Sequence, residues 1–327
     1  MTTRAASQPL ALVALALLAA PLAGEPHPNH AEGFQAERLY QLGELDSVAL
    51  FNGGLTVQLP LGGSYPVGAG FSYGLTLTYT GNVWDYETVQ GPSGFDYIMA
   101  FPRRSSNAGL GWKLTLGEDS EEGGYRTPDG SIHPFSEKLH ATSPTQAGIR
   151  FSTDGSYLRE RAGEVELPDG TRHLLLANGK PDLILDRFGN SLDIDYVPAG
   201  IAGFPAIRHW KLTDSHGRVH WVRFKAPPAL GGVYTEGVVD RVELAAFNGG
   251  TATYVFHYSG ATTITRGFTD PDVGCNVGST TVEVPLLERI TQPDGSEYQF
   301  TYDLGPTTSP APRVGPTSST PRASRAI

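Results

Sequence analysis

The chain contains a single cysteine, Cys275, among 327 residues, so no disulfide can form within it. It also has no run of lysine or arginine, and its formal net charge is −10. Binding to nucleic acid needs a basic stripe, and attraction to an anionic membrane surface needs one as well. The composition therefore disfavours both kinds of partner. Without disulfides, the stability of the protein rests on its hydrophobic core.

Only one stretch is continuously apolar, Leu10–Ala23 (LALVALALLAAPLA), and it is short for a membrane span. Arg4 gives a weakly positive start, and Pro21 with the small Ala23-Gly24 ends the apolar run. These features predict a secretory signal peptide over residues 1–24, and hence secretion or residence in the cell envelope. We expect no transmembrane segment once the signal is removed. An exported chain without disulfides is typical of bacterial proteins.

The remaining sequence is rich in glycine (40 residues) and aromatic rings, including 14 Tyr and 14 Phe. After Asp294-Gly295, the rings of Tyr298, Phe300 and Tyr302 fall on every second residue, which is the period of a half-buried strand. Asp-Gly is expected to supply two positive-φ residues of a tight hairpin turn. Related turn sequences occur at Pro128–Gly130, Asp154–Gly155, Pro168–Gly170, Phe188–Asn190 and Ser215–Gly217.

This pattern predicts an all-β fold, a meander of antiparallel β-hairpins that forms either a β-sandwich-like body or an open segment of a shell wall. Residues 81–108 and 259–283 are predicted to be connecting loops. The predicted organisation is a polar leader over 25–45, an all-β body over 46–304 with an additional boundary near 226–237, and a disordered Pro/Ser/Thr-rich tail over 305–327.

Several turn-and-strand segments resemble the secreted RHS/YD-repeat family, which is named for a recurrent tyrosine–aspartate element such as Tyr302-Asp303. The matching segments are GLGWKLTLGE (109–118), YRTPDGSIHPF (125–135), DGSYLRE (154–160), VELPDGTRHLL (165–175), LILDRFGNSLDIDY (183–196), LTDSHGRVHWVRF (212–224) and LLERITQPDGSEYQFTYD (286–303). Their number and order make the resemblance more specific than any one of them.

The resemblance implies a large secreted or surface protein whose repeats coil into a hollow β-shell, which in some relatives encloses a toxin. This chain resembles the region that precedes the main repeat array. We therefore expect a non-enzymatic β-structural or interaction module, either a truncated piece of a larger toxin-type shell or a short stand-alone member. Its expected partner is a downstream repeat or toxin segment, or a glycan or protein at the cell surface.

One loop has the residue types of a calcium site, although no cofactor is otherwise expected. Asp270, Asp272 and Asn276 offer two carboxylates and an amide around Gly274. The glutamate that would complete an EF-hand is absent, since Thr281 stands at that position. The alternative interpretation is a solvated Asp/Gly/Asn turn.

The alternative function is recognition or hydrolysis of carbohydrate. Trp84, Tyr86 and Tyr97 offer rings for an aromatic platform beneath sugars, although the same rings would also suit a satellite core. Paired carboxylates for hydrolysis can come from distant strands, so the sequence leaves that chemistry open.

Nucleophile motifs and phosphate loops are missing, so we expect no enzyme. His209, His216 and His220 lie close in sequence, and the alternatives for them are a zinc site or exposed strand and turn positions.

Overall fold

The structure, a computed structural model, describes residues 40–42, 45–50, 54–68, 70–90, 96–120, 123–139, 142–228, 234, 236–260, 262–269, 276–302 and 322–325. Its regular structure is almost entirely β, in antiparallel sheets. In the described part of the chain, the only helical element is a 3-10 turn at Phe247–Gly249. The predicted all-β meander of antiparallel hairpins is confirmed.

Sixteen strands form one long sheet, in the order β25-β24-β23-β20-β19-β18-β17-β16-β15-β14-β13-β12-β11-β10-β9-β8. Their bounds are β8 Glu118–Ser120, β9 Gly124–Arg126, β10 Ile132–Ser136, β11 Ile149–Ser152, β12 Arg159–Arg161, β13 Glu164–Glu166, β14 Arg172–Leu175, β15 Pro181–Leu185, β16 Ser191–Pro198, β17 Arg208–Asp214, β18 Val219–Lys225, β19 Val238–Ala245, β20 Thr251–Tyr258, β23 Leu287–Thr291, β24 Glu297–Thr301 and β25 Arg322–Arg325. From β8 to β20 each strand pairs with its neighbour in sequence, so β18 and β19 pair directly across residues 226–237.

A second, small sheet has the order β1-β2-β3-β4-β7. Its strands are β1 Tyr40–Leu42, β2 Asp46–Ala49, β3 Leu55–Gly68, β4 Phe71–Thr80 and β7 Trp112–Leu114. Two separate hairpins lie outside both sheets, β5 (Trp84–Gln90) with β6 (Asp96–Pro102) and β21 (Thr262–Thr269) with β22 (Asn276–Val284). The first hairpin lies within residues 81–108 and the second covers most of residues 259–283, so the prediction that both segments are loops was wrong.

The Pro-Asp-Gly turns share one geometry, which differs from the predicted one. At the first of them, Thr127 N–H donates to Ser131 O at 2.9 Å and Gly130 N–H donates to Thr127 O at 2.9 Å. Gly130 has φ +88°, whereas Asp129 is not among the positive-φ residues, so the prediction of two such positions was wrong here. The bonds are those of a three-residue loop with a glycine bulge. Asp129 stabilises it, because its Oδ1 accepts the N–H of Ser131 at 3.1 Å.

Two further turns keep the same backbone hydrogen bonds but place the aspartate two residues earlier in the turn sequence. Asp186 Oδ1 accepts the N–H groups of Phe188 and Asn190, both at 2.8 Å, and Gly189 takes φ +88°. Asp214 repeats the pattern with the N–H groups of His216 and Arg218, both at 3.0 Å. In each turn one carboxylate therefore satisfies two backbone donors that the hairpin would otherwise leave to water.

All these turns lie at the same end of the strands in the long sheet, because an antiparallel meander reverses its direction at every turn and every second turn therefore returns to the same side. This row of strand ends forms one edge of the sheet. We name this edge the turn edge; its turns span 127–131, 153–158, 167–171, 186–190, 214–218, 246–250 and 292–296. Neighbouring turns contact each other. For example, Ser191 N–H donates to Ser215 Oγ at 3.1 Å, and Ser215 N–H donates to Ser191 O at 3.1 Å.

The main core forms where the small sheet packs against the long sheet from β15 to β24. Trp112 is fully buried, with its ring centroid 5.1 Å from that of Tyr79 and 4.7 Å from that of Phe300. Its Nε1–H donates to Tyr302 Oη at 2.8 Å, and that hydroxyl donates to Leu287 O at 2.6 Å. The tyrosine of the Tyr-Asp element therefore anchors the two sheets through its hydroxyl.

The strands from β9 to β14 have only a small core of their own, which consists of Tyr125, Leu158 and Val165 with three partly buried neighbours. Two predicted segments contribute strands that the sequence did not indicate. Tyr40–Leu42 of the polar leader forms β1, and Arg322–Arg325 of the tail pairs with β24 as β25. The signal peptide and residues 303–321 lie outside the described residues.

Candidate functional site

Large exposed aromatic rings recur along the turn edge. Tyr157, Phe188 and Phe247 are 81%, 63% and 91% exposed. They belong to every second turn, those that join β11 to β12, β15 to β16 and β19 to β20. Strands in a sheet lie roughly 4.8 Å apart, so successive rings are about 19 Å apart along the edge. The rings therefore form a spaced row rather than one apolar patch.

Two of these rings have a distinctive local geometry. Tyr157 has φ +58°, a conformation that is uncommon for a residue other than glycine. The guanidinium of Arg187 lies 4.8 Å from the centre of the Phe188 ring, which orients one face of that ring toward the cation. Sequence reasoning missed these residues, although a large ring inside a turn sequence, as in RFGN or FNGG, was the available signal.

A buried polar network joins the turn edge to the small sheet. Ala245 N–H donates to His220 Nδ1 at 3.1 Å, so the ring proton of a neutral His220 lies on Nε2. That Nε2–H faces the Tyr73 hydroxyl at 2.6 Å, and the hydroxyl donates to Asp214 Oδ2 at 2.9 Å. Burial lowers the pKa of His220, whereas burial and Asp214 raise the pKa of Tyr73. Both groups are therefore neutral near pH 7, and each hydrogen in this network of three hydrogen bonds has a defined acceptor.

Two more side chains from the same turn hold the backbone of the small sheet. Arg218 Nε donates to Asp214 Oδ2 at 2.6 Å, and its Nη2 donates to Pro66 O at 2.6 Å. His216 Nε2 lies 2.7 Å from Val67 O, which can only accept, so that nitrogen carries a hydrogen. The turn thus fixes the position of the β3–β4 hairpin on the long sheet.

One group resembles the hydroxyl–imidazole–carboxylate order of a catalytic triad. His133 Nδ1 lies 2.6 Å from Asp154 Oδ2, and its Nε2 lies 3.1 Å from Thr127 Oγ1. Thr127 has a single hydroxyl hydrogen, and the shortest bond takes it to Asp129 at 2.5 Å. The geometry is therefore that of a clamp between two neighbouring turns, in which the hydroxyl is not activated by the imidazole.

The structure places the predicted aromatic platform on the β5–β6 hairpin. Trp84 and Tyr86 are two residues apart on β5 and share one face, where Trp84 packs against the main core and Tyr86 is 46% exposed. Position 97 pairs with position 89. Positions 86 and 89 are three residues apart on β5 and therefore lie on opposite faces, so the backbone puts position 97 on the face opposite Tyr86. The Tyr97 side chain lies outside what the structure describes.

The predicted calcium ligands are mostly outside the described residues. Asp270 and Asp272 are not described, and Asn276 begins β22, where its backbone pairs with Thr269. Within the described ranges, no group of three His, Cys, Asp or Glu side chains could hold a metal ion. The calcium site stays a prediction.

The histidines near β17 and β18 do not converge on one point, because each has its own partner. His209 Nδ1 accepts the N–H of Phe224 at 3.1 Å, while His216 and His220 have the partners given above. His216 lies in its turn, but His220 is 1% exposed, so its predicted exposed position was wrong. It is buried because the small sheet covers that part of the long sheet.

No helix in the described part of the chain is long and apolar enough to cross a membrane. No protein-family model matches the chain, and no curated protein matches it.

Proposed function

We propose that this chain is an exported, non-enzymatic β-structural and interaction module of the RHS/YD-repeat type. The observation that carries the proposal is the continuous long sheet, in which consecutive strands pair in sequence and five turns on one edge repeat the same two backbone hydrogen bonds. A sheet made by repeating a hairpin is extended by further hairpins, as the wall of a shell requires. Export is supported by the signal peptide predicted over residues 1–24.

The edge of β24 is where a further repeat segment would join. β24 already pairs with a strand from a distant part of the sequence, because Tyr298–Thr301 pairs with Arg322–Arg325 of β25. Strand addition relies on backbone hydrogen bonds, so the same edge suits a strand of different sequence. We therefore propose a downstream repeat segment as the partner, with β25 occupying its place when that segment is absent.

The test displaces β25 in the full mature chain. Ala323→Pro combined with Ser324→Pro removes two backbone donors from β25 and disfavours its pairing. A fluorescent peptide of residues 286–303, which carries the β23–β24 hairpin, then serves as the incoming strand. We expect the double variant to bind this peptide more tightly than the wild type, as measured by fluorescence anisotropy.

The matched control is the same peptide with alternate backbone amides methylated, which keeps every side chain and removes the donors. It should not bind. If the double variant and the wild type bind the peptide equally weakly, the proposed extension of the sheet at β24 is wrong. Equal binding of the methylated peptide would show side-chain adhesion rather than strand addition.

A second candidate function is recognition of a linear glycan along the turn edge. The observation in its favour is the row formed by Tyr157, Phe188 and Phe247, since exposed ring faces suit stacking against sugars. A chain-like ligand would contact several rings at once, and its affinity would fall with each ring removed.

A glycan array probed with the wild type and with Phe188→Ala tests this candidate. The triple alanine variant of all three rings should lose any signal, while Trp84→Ala tests the separate platform on β5. An array signal that survives the triple variant would rule out recognition by the turn edge.

A further inference from the structure

Two asparagine–glycine pairs lie at the tips of hairpins in the described part of the chain, and they differ in how firmly they are held. Asn178-Gly179 is in the turn between β14 and β15, and Asn248-Gly249 is in the turn between β19 and β20. A third pair, Asn52-Gly53, lies outside the described residues. This dipeptide has a reaction of its own, because glycine has no Cβ to keep the asparagine side chain away from the next backbone nitrogen.

The reaction is the loss of ammonia from the asparagine. The backbone nitrogen of the following glycine attacks the side-chain Cγ and gives up its hydrogen, the amide group leaves as ammonia, and a cyclic imide forms. One water then opens the ring at either carbonyl, which yields aspartate or isoaspartate. The reaction needs only water, so the local structure sets its rate. The side chain must be free to turn toward the nitrogen, and the turn must be free to change its shape.

The Asn178 side chain and its turn are both held. Asn178 Oδ1 accepts the N–H of Lys180 at 3.2 Å, and Gly179 O accepts the N–H of Asp119 from β8 at 2.8 Å. A Cβ built on Gly179 would lie only 2.8 Å from that of Asp119, so β8 packs directly against the tip of the turn. Ring closure at Asn178 therefore has to break hydrogen bonds and displace a neighbouring strand.

The turn at Asn248 lacks these restraints within the described residues. The whole turn is exposed, the Asn248 side chain makes no hydrogen bond there, and a Cβ built on Gly249 would meet no atom within 4 Å. The bond from Gly250 N–H to Phe247 O is 3.3 Å, longer than most backbone hydrogen bonds. Asn248 has φ +57°, which asparagine tolerates better than most residues, so local turn geometry and not packing holds this position.

We propose that Asn248 is a site of spontaneous deamidation in the folded protein, and that Asn178 is protected from the same reaction. The product carries a carboxylate beside Phe247, the most exposed of the three rings on the turn edge. Isoaspartate also adds one carbon atom to the backbone of the turn, which changes the spacing that the bond from Gly250 N–H to Phe247 O requires. The modification therefore alters one end of the row of rings. This inference is independent of the function proposed above.

The test follows both asparagines in one sample of the mature full-length chain, kept at mildly alkaline pH in heavy-oxygen water. Peptide mapping by mass spectrometry gives the fraction converted at each position, and fragmentation separates isoaspartate from aspartate. Heavy oxygen in a product marks conversion that took place during the incubation. We expect Asn248 to convert about ten- to thirtyfold faster than Asn178, the factor for the one or two hydrogen bonds that the Asn178 turn must first break.

The matched control is the same chain unfolded in urea, where only the sequence acts. Both asparagines should then convert at similar rates, because each is followed by glycine. A second control is Asn248→Gln, which lengthens the side chain by one carbon and so disfavours ring closure. The more acidic form that appears in anion-exchange profiles of the incubated wild type should be missing from this variant.

Equal conversion of the two asparagines in the folded chain would overturn the proposal, and so would faster conversion of Asn178. If Asn248 converts in urea but not in the folded chain, its turn is held firmly and the proposal is wrong. Aspartate without any isoaspartate at position 248 would indicate direct hydrolysis and would exclude the imide route.

Discussion

Gly189 offers the sharpest test of the turn geometry on which the proposed function depends. Its φ is +88°, and a Cβ built on it would meet no atom within 4 Å. A substitution there is therefore opposed by the backbone conformation and not by crowding. Positive φ costs an ordinary residue about 1–2 kcal/mol, less for asparagine and more for a β-branched residue. We expect the free energy of unfolding to fall in the order Gly189→Asn, Gly189→Ala, Gly189→Val, with Val losing about 2–3 kcal/mol.

Equilibrium urea unfolding of the mature chain measures this series. Gly260 is the matched control, because it is exposed, lacks a positive φ and also has open space around its Cβ position. Gly260→Ala should change stability little, or raise it by up to about 1 kcal/mol through the unfolded state. An unchanged urea midpoint for Gly189→Val would refute the turn assignment. Equal losses for all three substitutions would refute the conformational explanation.

Three further predictions concern the buried polar groups and the weaker part of the long sheet. Tyr73→Phe leaves His220 Nε2–H without its acceptor and removes a donor to Asp214, so urea unfolding should show a loss of about 2–3 kcal/mol, and a loss below 0.5 kcal/mol would contradict the network. Burial lowers the pKa of His173 to about 4, below its ordinary value near 6.5, so its neutral form is favoured in the folded state. Its contribution should be complete above about pH 6.5 and disappear as the pH falls toward 4, a loss of up to about 3 kcal/mol that a pH series of His173→Gln should lack. Amide hydrogens of β10–β14 should exchange faster than those of β16–β20, and uniform protection across the sheet in a hydrogen-exchange experiment would contradict this.

The local rules of the sequence predicted most hairpins of the long sheet, but not the β5–β6 and β21–β22 hairpins, nor which distant strands pack together. Alternation and turn residues predicted these hairpins of the long sheet. The detailed turn type was missed because Asp-Gly is compatible with two hairpin geometries, and the choice depends on the twist and length of the paired strands. β25 was missed because RASR has no strand periodicity, and its pairing depends on the free edge of β24.

The contacts between polar side chains of the candidate site could not be predicted from the sequence, for a different reason. Tyr73 and His220 are 147 residues apart, and Trp112 and Tyr302 are 190 apart. Only the packing of the two sheets brings such residues together. The hydroxyl of Tyr302 is covered by the small sheet, which supplies the indole donor of Trp112.

The position of these networks explains why a meander of this length needs a second layer. In a meander, each strand contacts only the strands beside it, so its stability is close to a sum of neighbouring terms. From β15 to β24 the small sheet adds contacts that span many strands, and Arg218, His216 and Tyr73 place polar bonds at that interface. From β9 to β14 the structure shows only a small local core. The long sheet is thus stabilised by packing against the small sheet from β15 to β24, and mainly by its turns from β9 to β14. Because a clamp such as His133–Asp154 joins neighbouring turns, it can stabilise that second part without an apolar layer beneath it.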